Sequence, residues 1–502
     1  MAKKNKDQKE NSDLELQTII GNQITNGLGY LGGQLSDQRR KSLEYYLGDK
    51  LGTEIDGRSQ VVSTDVSDTI ESLLPNLLRV FTASDNVVRC EPMTAEDVPM
   101  ADQATAYLNH VFYKENNGFQ LLYNFFKDAL IEKNGFLKIY WDDSEKVDYE
   151  TYENLSPVEK EALQDTKDEI EIVDEEVFED EDAKEQFEAT LAQYEAQGMD
   201  VSQIQVPNFN LYNCKIKRIK KTGKVKIESV PPEEFLIERN AKTIDDADFV
   251  AHKVLMTRSD LVSMGYSQDE VDELPKSDLD IYNNEEIVRM RDIDEYNVST
   301  PTDSSTEKVL IYECYIKYDY DGDGIAELRK VVAAGSDGSH ILSNMPCDNV
   351  PFVTVTPIPM PHRFYGRSIS ELVEDVQLMK STVMRQLLDN MYLTNNNRVA
   401  IMDGMVNMDD LLTTRPGGIV RTKQPPNQVL QPLQAQPISQ QAFPLLSYLD
   451  SVREGRTGVS KEAQGLSPDT LNAKTATGVN ALMTQTQMRS ELIARVFAET
   501  GV

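Results

Sequence analysis

The run "SISELVEDVQLMKSTVMRQLLDNMYLTNNN" (residues 368–397) constrains the fold more than any other stretch. Ser368 and Glu371 form an S-x-x-E capping box, which starts a helix by satisfying its first free N–H groups. Ile369, Leu372, Val376, Met379, Val383, Leu387 and Met391 then recur at three and four, the period of one helix face. A helix over this span is about 40 Å long at about 1.5 Å per residue. A stripe of this kind ordinarily packs into a core; its length is what is unusual. A second helix is expected at 438–456, "SQQAFPLLSYLDSVREGRTGVS", and a third, rich in Met and Thr, at "VNALMTQTQMRSELIARVFAETGV". Between the first two lie short strands, "RVAIMDG" and "GGIVRTK", around a polar loop. "KEAQGLSPDTLNAKTATG" reads as a long small-residue loop before the third helix.

The first half mixes helices and strands. Val66, Ile70, Leu73, Leu74, Leu77, Leu78 and Phe81 repeat with helical spacing inside a helical region 35–81, and Pro75 predicts a kink or break there. Two amphipathic helices are expected over 101–134, the second stopping at Asn134-Gly135, followed by the strand "FLKIYW" with the only tryptophan, Trp141. "DFVAHKVLM" alternates like a strand, and Thr257 with Asp260 caps a helix before "LVSMGY". Residues 276–306 read as polar loop, and "VPFVTVTPIPMP" (350–361) as strand punctuated by proline. The class is α+β.

Charge is large and uneven. The chain of 502 residues carries a net charge of −33, which argues against simple phosphate binding, since that needs Lys and Arg on the contact face. Residues 142–200 hold about 19 more acidic than basic side chains and, rich in Glu, Ala, Gln and Lys, read as helices with a solvated acidic face. "NLYNCKIKRIKKTGKVKIESV" reverses the sign. Its alternation and the Thr222-Gly223 turn predict a basic β-hairpin over 208–230, better suited to partnering the acidic segment than to nucleic acid, because stacking aromatics are scarce.

No run approaches the roughly 18 apolar residues of a membrane span. The charged start, "MAKKNKDQKENSDLELQ", has no apolar core of a secretory signal, and residues 1–34 read as a disordered or flexible tail. Cys90, Cys214, Cys314 and Cys347 form no C-x-x-C pair, and the four histidines stand at no ligand spacing. There is no GxxxxGK[ST], GxSxG, HExxH or dinucleotide fingerprint, so no catalytic residue is assigned. Arg415, Arg421 and Lys423 make a local basic patch near the short strands.

"KYDYDGDGIAELRK" imitates a calcium loop. It lies between two strand patterns that make a hairpin over 308–335. Counted from Asp319, the twelfth position of an EF-hand is Lys330, where a bidentate acid is required, so the EF-hand reading fails. Two readings stay open: a turn built by Asp and Gly chemistry, or a hairpin-tip Ca2+ or Mg2+ site using Asp319, Asp321, Asp323 and Glu327. No other cofactor is expected.

In order along the chain, "LEYYLGDKLGTEIDGRSQVVSTDVSDTIESLLPNLLRVF", "FFKDALIEKNGFLKIYW", "VPPEEFLIERNAKTIDDADFVAHKVLMTRSDLVSMGY", "YGRSISELVEDVQL" and "REGRTGVSKEAQGL…NAKTATGVNALM" resemble the portal proteins of tailed bacteriophages, in the short-tailed branch. The resemblance spans most of residues 40–497. It implies a non-enzymatic ring, usually of twelve subunits, at one capsid vertex of the virion, assembled in the host bacterial cytoplasm. Double-stranded genome DNA enters and leaves through such a ring. The implied partners are the terminase large subunit, then a tail adaptor, with capsid and scaffold proteins, and no membrane. The implied parts are an α/β wing (35–366, with an acidic helical insertion 142–205), stem helices (367–397 and 437–460), a small β-containing clip (398–436), a tunnel loop (461–478) and a helix leading to the crown (479–502). Asn472, Lys474 and Thr475 fall in the tunnel loop, and Arg415, Arg421 and Lys423 on the docking surface of the clip. Most of the crown and of the C-terminal helical barrel seen in this branch falls outside the sequence. Two other function classes compete: a calcium-dependent binding or scaffold protein built on Asp319–Glu327, and a metal-dependent nuclease using Asp321 and Asp323.

Overall fold

The computed structural model describes residues 2–83, 87–143, 145–164, 169–196, 209–221, 223–276, 284–289, 303–396, 398–413, 415–433, 436–459 and 476–501. The chain divides into two units, one of residues 1–138 with 227–502 and one of residues 139–226.

The large unit opens with α1 (Ala2–Tyr30), α2 (Ser36–Leu47), α3 (Asp65–Thr82), α4 (Val98–His110) and α5 (Gly118–Glu132). The expected disordered tail is a correction: α1 is a helix, and Leu16, Ile20 and Ile24 are fully buried. Their spacing of four puts them on one face, and that face closes a core with Leu236, Phe249, Leu310, Tyr312 and Val331. The polar first residues hid three well-spaced apolar ones. α3 is not broken at Pro75. Its stripe is buried along its whole length, and packing on both sides of the proline outweighs the lost backbone bond. α5 ends before Gly135, where a Cβ would stand 2.2 Å from the Phe125 carbonyl oxygen.

β1 (Gly135–Asp142) leads out of this unit into the small one, which holds β2 (Glu145–Leu155), α6 (Pro157–Gln164), β3 (Glu169–Glu179), α7 (Glu181–Ala196) and β4 (Asn210–Lys221). β5 (Lys224–Val230) leads back. The acidic segment is therefore not all helical, and the expected 208–230 hairpin does not pair with itself: the sheets run β2-β4-β3 and β11-β1-β5. Basic β4 is the central strand between two acidic ones, with Glu171 opposite Lys217 and Asp148 opposite Arg218. Lys217 meets Glu171 at 3.1 Å and Arg218 meets Glu150 at 3.0 Å. Cross-strand attraction between unlike charges selects this pairing over a Lys-against-Lys hairpin.

Back in the large unit, β6 (Phe235–Ile237), β7 (Phe249–Thr257), α8 (Arg258–Ser263), α9 (Gln268–Asp272), α10 (Asn284–Arg289), β8 (Lys308–Tyr318), β9 (Glu327–Ala334), β10 (His340–Pro346) and β11 (Phe352–Val355) follow. β6 to β10 form an antiparallel meander in chain order. Thr257 and Asp260 make the expected capping box of α8. The rest comprises α11 (Ser370–Asn395), β12 (Arg398–Ile401), α12 (Met408–Leu412), α13 (Pro426–Val429), β13 (Leu430–Leu433), α14 (Ser439–Thr457) and α15 (Ala476–Thr500). β12 pairs with β13. "GGIVRTK" forms no strand and contributes one bridge, Thr422 to Val406.

Glu313 in β8 lies between Lys138 and Lys330, the latter at 2.7 Å. Burial pushes its carboxyl up, but the two ammonium groups outweigh that and hold it at about 2. A depressed carboxylate stabilises the fold above its unfolded-state value and loses that contribution as pH falls through the folded one. Glu313→Gln should therefore flatten the stability profile between about pH 4.5 and 2 and remove on the order of 3 kcal/mol at neutral pH, read by urea unfolding across pH. Ile20→Ala should cost about 2–5 kcal/mol in the same assay; a change under about 0.5 kcal/mol would mean that α1 adds nothing to the core.

Candidate functional site

α11 and α14 run side by side, and their bonds fix the direction. Asp375 meets Arg456 at 2.5 Å, Lys380 meets Asp450 at 2.8 Å, and Asn390 bonds Gln436 O at 2.9 Å and Ile438 N at 3.1 Å. Partners rise along one helix as they fall along the other, so the pair is antiparallel.

From its start through Arg385, α11 is locked to α2, α3 and the segment between them. The Asp65 carboxylate, buried at the start of α3, accepts from Lys380 at 2.8 Å and Arg453 at 2.9 Å through one oxygen, and from the Ser63 hydroxyl at 2.6 Å through the other. Gln377, also buried, accepts the Val66 N–H at 2.9 Å and donates to Tyr45 O at 2.9 Å. Arg385 pairs with Glu54 and donates to Thr53 Oγ1 and Val61 O. The Ser368–Glu371 box forms, with each backbone N–H bonded to the other residue's side chain.

Past Arg385 the pattern changes, although Asp389 still accepts the Ser59 N–H at 2.8 Å. Leu388, Met391, Tyr392 and Leu393 on α11, and Phe443, Leu445 and Tyr448 on α14, are all exposed, Tyr392 by 71% and Tyr448 by 64%. Met379 and Met391, part of the stripe that reads as core, are exposed as well. Both helices thus expose several large apolar side chains along these stretches; contiguous patches of that kind mark interaction sites on proteins in general.

The connection between the helices continues the pattern, with Leu412, Ile419 and Leu433 exposed. Its three expected docking cations are not equivalent. Arg421 grips Asp410 with two bonds, at 2.6 and 3.0 Å, and holds that carboxyl below its ordinary value. Arg415 closes a turn through its carbonyl, accepting the Gly418 N–H at 2.9 Å, and the Lys423 N–H bonds Met405 O at 2.9 Å; both side chains are exposed. Asn472, Lys474 and Thr475 lie outside the described residues.

At the β8–β9 tip, Asp319, Asp321 and Asp323 each place a carboxylate oxygen within 4.8 Å of the others. Glu327 is not brought to them; it starts β9 and pairs with Arg329 at 3.0 Å. The Asp319 carboxylate already accepts the N–H groups of Gly322 (2.7 Å), Asp323 (3.1 Å) and Gly324 (2.8 Å). Gly322 and Gly324 take φ of 79° and 88°, where a Cβ is strained. These bonds give the Asp and Gly residues a role as turn builders. Asp319→Ala, which removes both acceptor oxygens and with them all three hydrogen bonds, should destabilise the protein by about 1–2 kcal/mol in urea unfolding, and Asp319→Asn, which keeps one acceptor oxygen, by less. Equal losses would assign the effect to charge instead.

The family model described as "Phage SU10 portal protein" matches residues 16–502. The chain belongs to that family. Its mixed α+β architecture is the portal fold, in keeping with the short-tailed branch that the sequence phrases resemble, and the match starts at Leu16, a buried residue of α1. No helix among the described residues is long and apolar enough to cross a membrane. Sequence reasoning missed Asp65, because an acid near a helix start reads as an ordinary first-turn residue; nothing local reports that two cations over 300 positions away converge on it.

Proposed function

We propose that the chain assembles into a closed homo-oligomeric ring of twelve at one vertex of the phage capsid, and that the ring is a conduit for genome DNA. The observation that carries this reading is the set of large apolar side chains that α11 and α14 leave exposed in a member of the portal family. A head-to-tail interface closes into a ring when its rotation divides the circle, and a second copy is the occupant that hides such a face on every subunit at once. In this reading residues 35–366 form the wing, 367–397 and 437–460 the stem, 398–436 the clip and 461–478 the tunnel loop, with Asn472, Lys474 and Thr475 along the channel. The clip, with Arg415 and Lys423 free of the Asp410 pairing, docks the terminase large subunit and later a tail adaptor. Capsid and scaffold proteins surround the ring, which assembles in the host cytoplasm. The net charge of −33 fits a passage that must not grip, because every phosphate neutralised adds affinity that a moving duplex would have to break.

Mass photometry tests the proposal. The purified chain, co-expressed with scaffold and coat proteins where needed, should give particles of about twelve times 56.7 kDa, with a central hole by negative-stain microscopy. Tyr392→Glu with Tyr448→Glu should leave circular dichroism unchanged and shift the mass to the monomer. A wild-type chain that stays monomeric alongside scaffold and coat proteins would sink the ring.

A further inference from the structure

A second acidic cluster lies inside the large unit, far in sequence from the exposed hairpin tip. Glu132 ends α5, Glu233 sits in the turn between β5 and β6, and Glu285 is on α10. They are 1%, 3% and 2% exposed, and one carboxylate oxygen from each lies within 4.8 Å of the other two. We propose that these three glutamates hold one divalent cation of calcium or magnesium type, which fastens α10 to α5 and the β5–β6 turn.

The first argument is charge. Among the described residues the cluster contains four carboxylates, with Asp128 as the fourth, and two guanidinium groups. Arg289 serves Glu132 at 2.8 Å, Glu233 at 2.9 Å and Asp128 at 3.5 Å. Arg39 is 3.9 Å from Glu285 and gives its Nη1 to Pro232 O at 2.9 Å. The neighbouring Lys253 faces Glu286, and Lys127 faces Glu71. Four carboxylates share two guanidinium groups, so the buried cluster holds more acid than its own arginines pair, a shortfall that one divalent ion fills. Buried charge without compensation is among the costliest arrangements a fold can hold.

The second argument is an orphaned atom. Glu132 Oε1 takes the Arg289 bond, whereas Glu132 Oε2 is buried and has no hydrogen-bond partner. A buried acceptor left empty costs about 1–3 kcal/mol, more when it is charged. Arg289 binds the opposite oxygen, so a cation at Oε2 does not displace it. The donor set is all oxygen, without His or Cys, which selects hard cations over zinc. The spacing accommodates Ca2+–O bonds of about 2.3–2.6 Å, with water completing the shell.

The test uses the full chain carrying Asp321→Asn and Asp323→Asn, so that the exposed hairpin tip is silenced. After dialysis against chelator and then against millimolar Ca2+ or Mg2+, elemental analysis should find about one ion per chain. Either cation should raise the melting temperature by at least about 3 °C. Glu285→Gln, which keeps shape and removes one ligand charge, should abolish both the retained ion and the rise. Elemental analysis needs no core variant, so a Glu285→Gln chain that fails to fold leaves the stoichiometry decisive. No ion above buffer level, or an ion retained equally by a folded Glu285→Gln chain, overturns the site. No retained ion with a Glu132→Gln chain that melts higher than its parent would instead assign the deficit to bound protons.

Discussion

The Asp65 carboxylate is the junction on which the long helices depend. One buried side chain receives an ammonium from α11, a guanidinium from α14 and a hydroxyl from its own chain just upstream of α3. Removing the carboxylate would take this partner from the buried Arg453 guanidinium, the costly way to break a buried pair. Asp65 thus ties α11 and α14 to the start of α3. Gln377 and Arg385 extend the anchorage along α11. Beyond them Asp389 still accepts the Ser59 N–H, and Leu388, Met391, Tyr392 and Leu393 are exposed.

Much of the architecture was legible because it was written in local periodicity. The 370–395 helix, its Ser368–Glu371 cap, the α8 cap at Thr257 and the β8–β9 hairpin all follow from spacing within a dozen residues. What failed was local in another sense. In β3, Ile170 and Ile172 alternate with Glu169 and Glu171, a strand signal that abundant helix-forming residues concealed. Basic β4 was rightly given an acidic partner, yet the partner proved to be strands on both of its sides. "GGIVRTK" carries β-prone residues, and β12 pairs instead with β13. Of the candidate site residues, the three aspartates converge as spacing suggests, whereas Glu327 and Arg421 are claimed by Arg329 and Asp410. No spacing rule reveals such a claim, since it depends on which neighbour the fold delivers.

Net charge says little until its partners are known. The small unit sets acidic strands beside a basic one, and Glu313 rests between two lysines. The same accounting at Glu132, Glu233 and Glu285 does not balance. That contrast separates a fold that tolerates acidity from a place where acidity has been gathered.

The helix α1 has a consequence in time. Its apolar face is synthesised first, yet the meander that covers it extends to β9 and β10, some three hundred residues later. At about 5–20 residues per second, Leu16, Ile20 and Ile24 wait roughly 15–60 s with no core to enter. During that interval the nascent segment is a short sticky peptide on a mostly charged leader. The charge of "MAKKNKDQKEN" then acts as a solubiliser, keeping that face from neighbouring chains on the same messenger until its own sheet arrives.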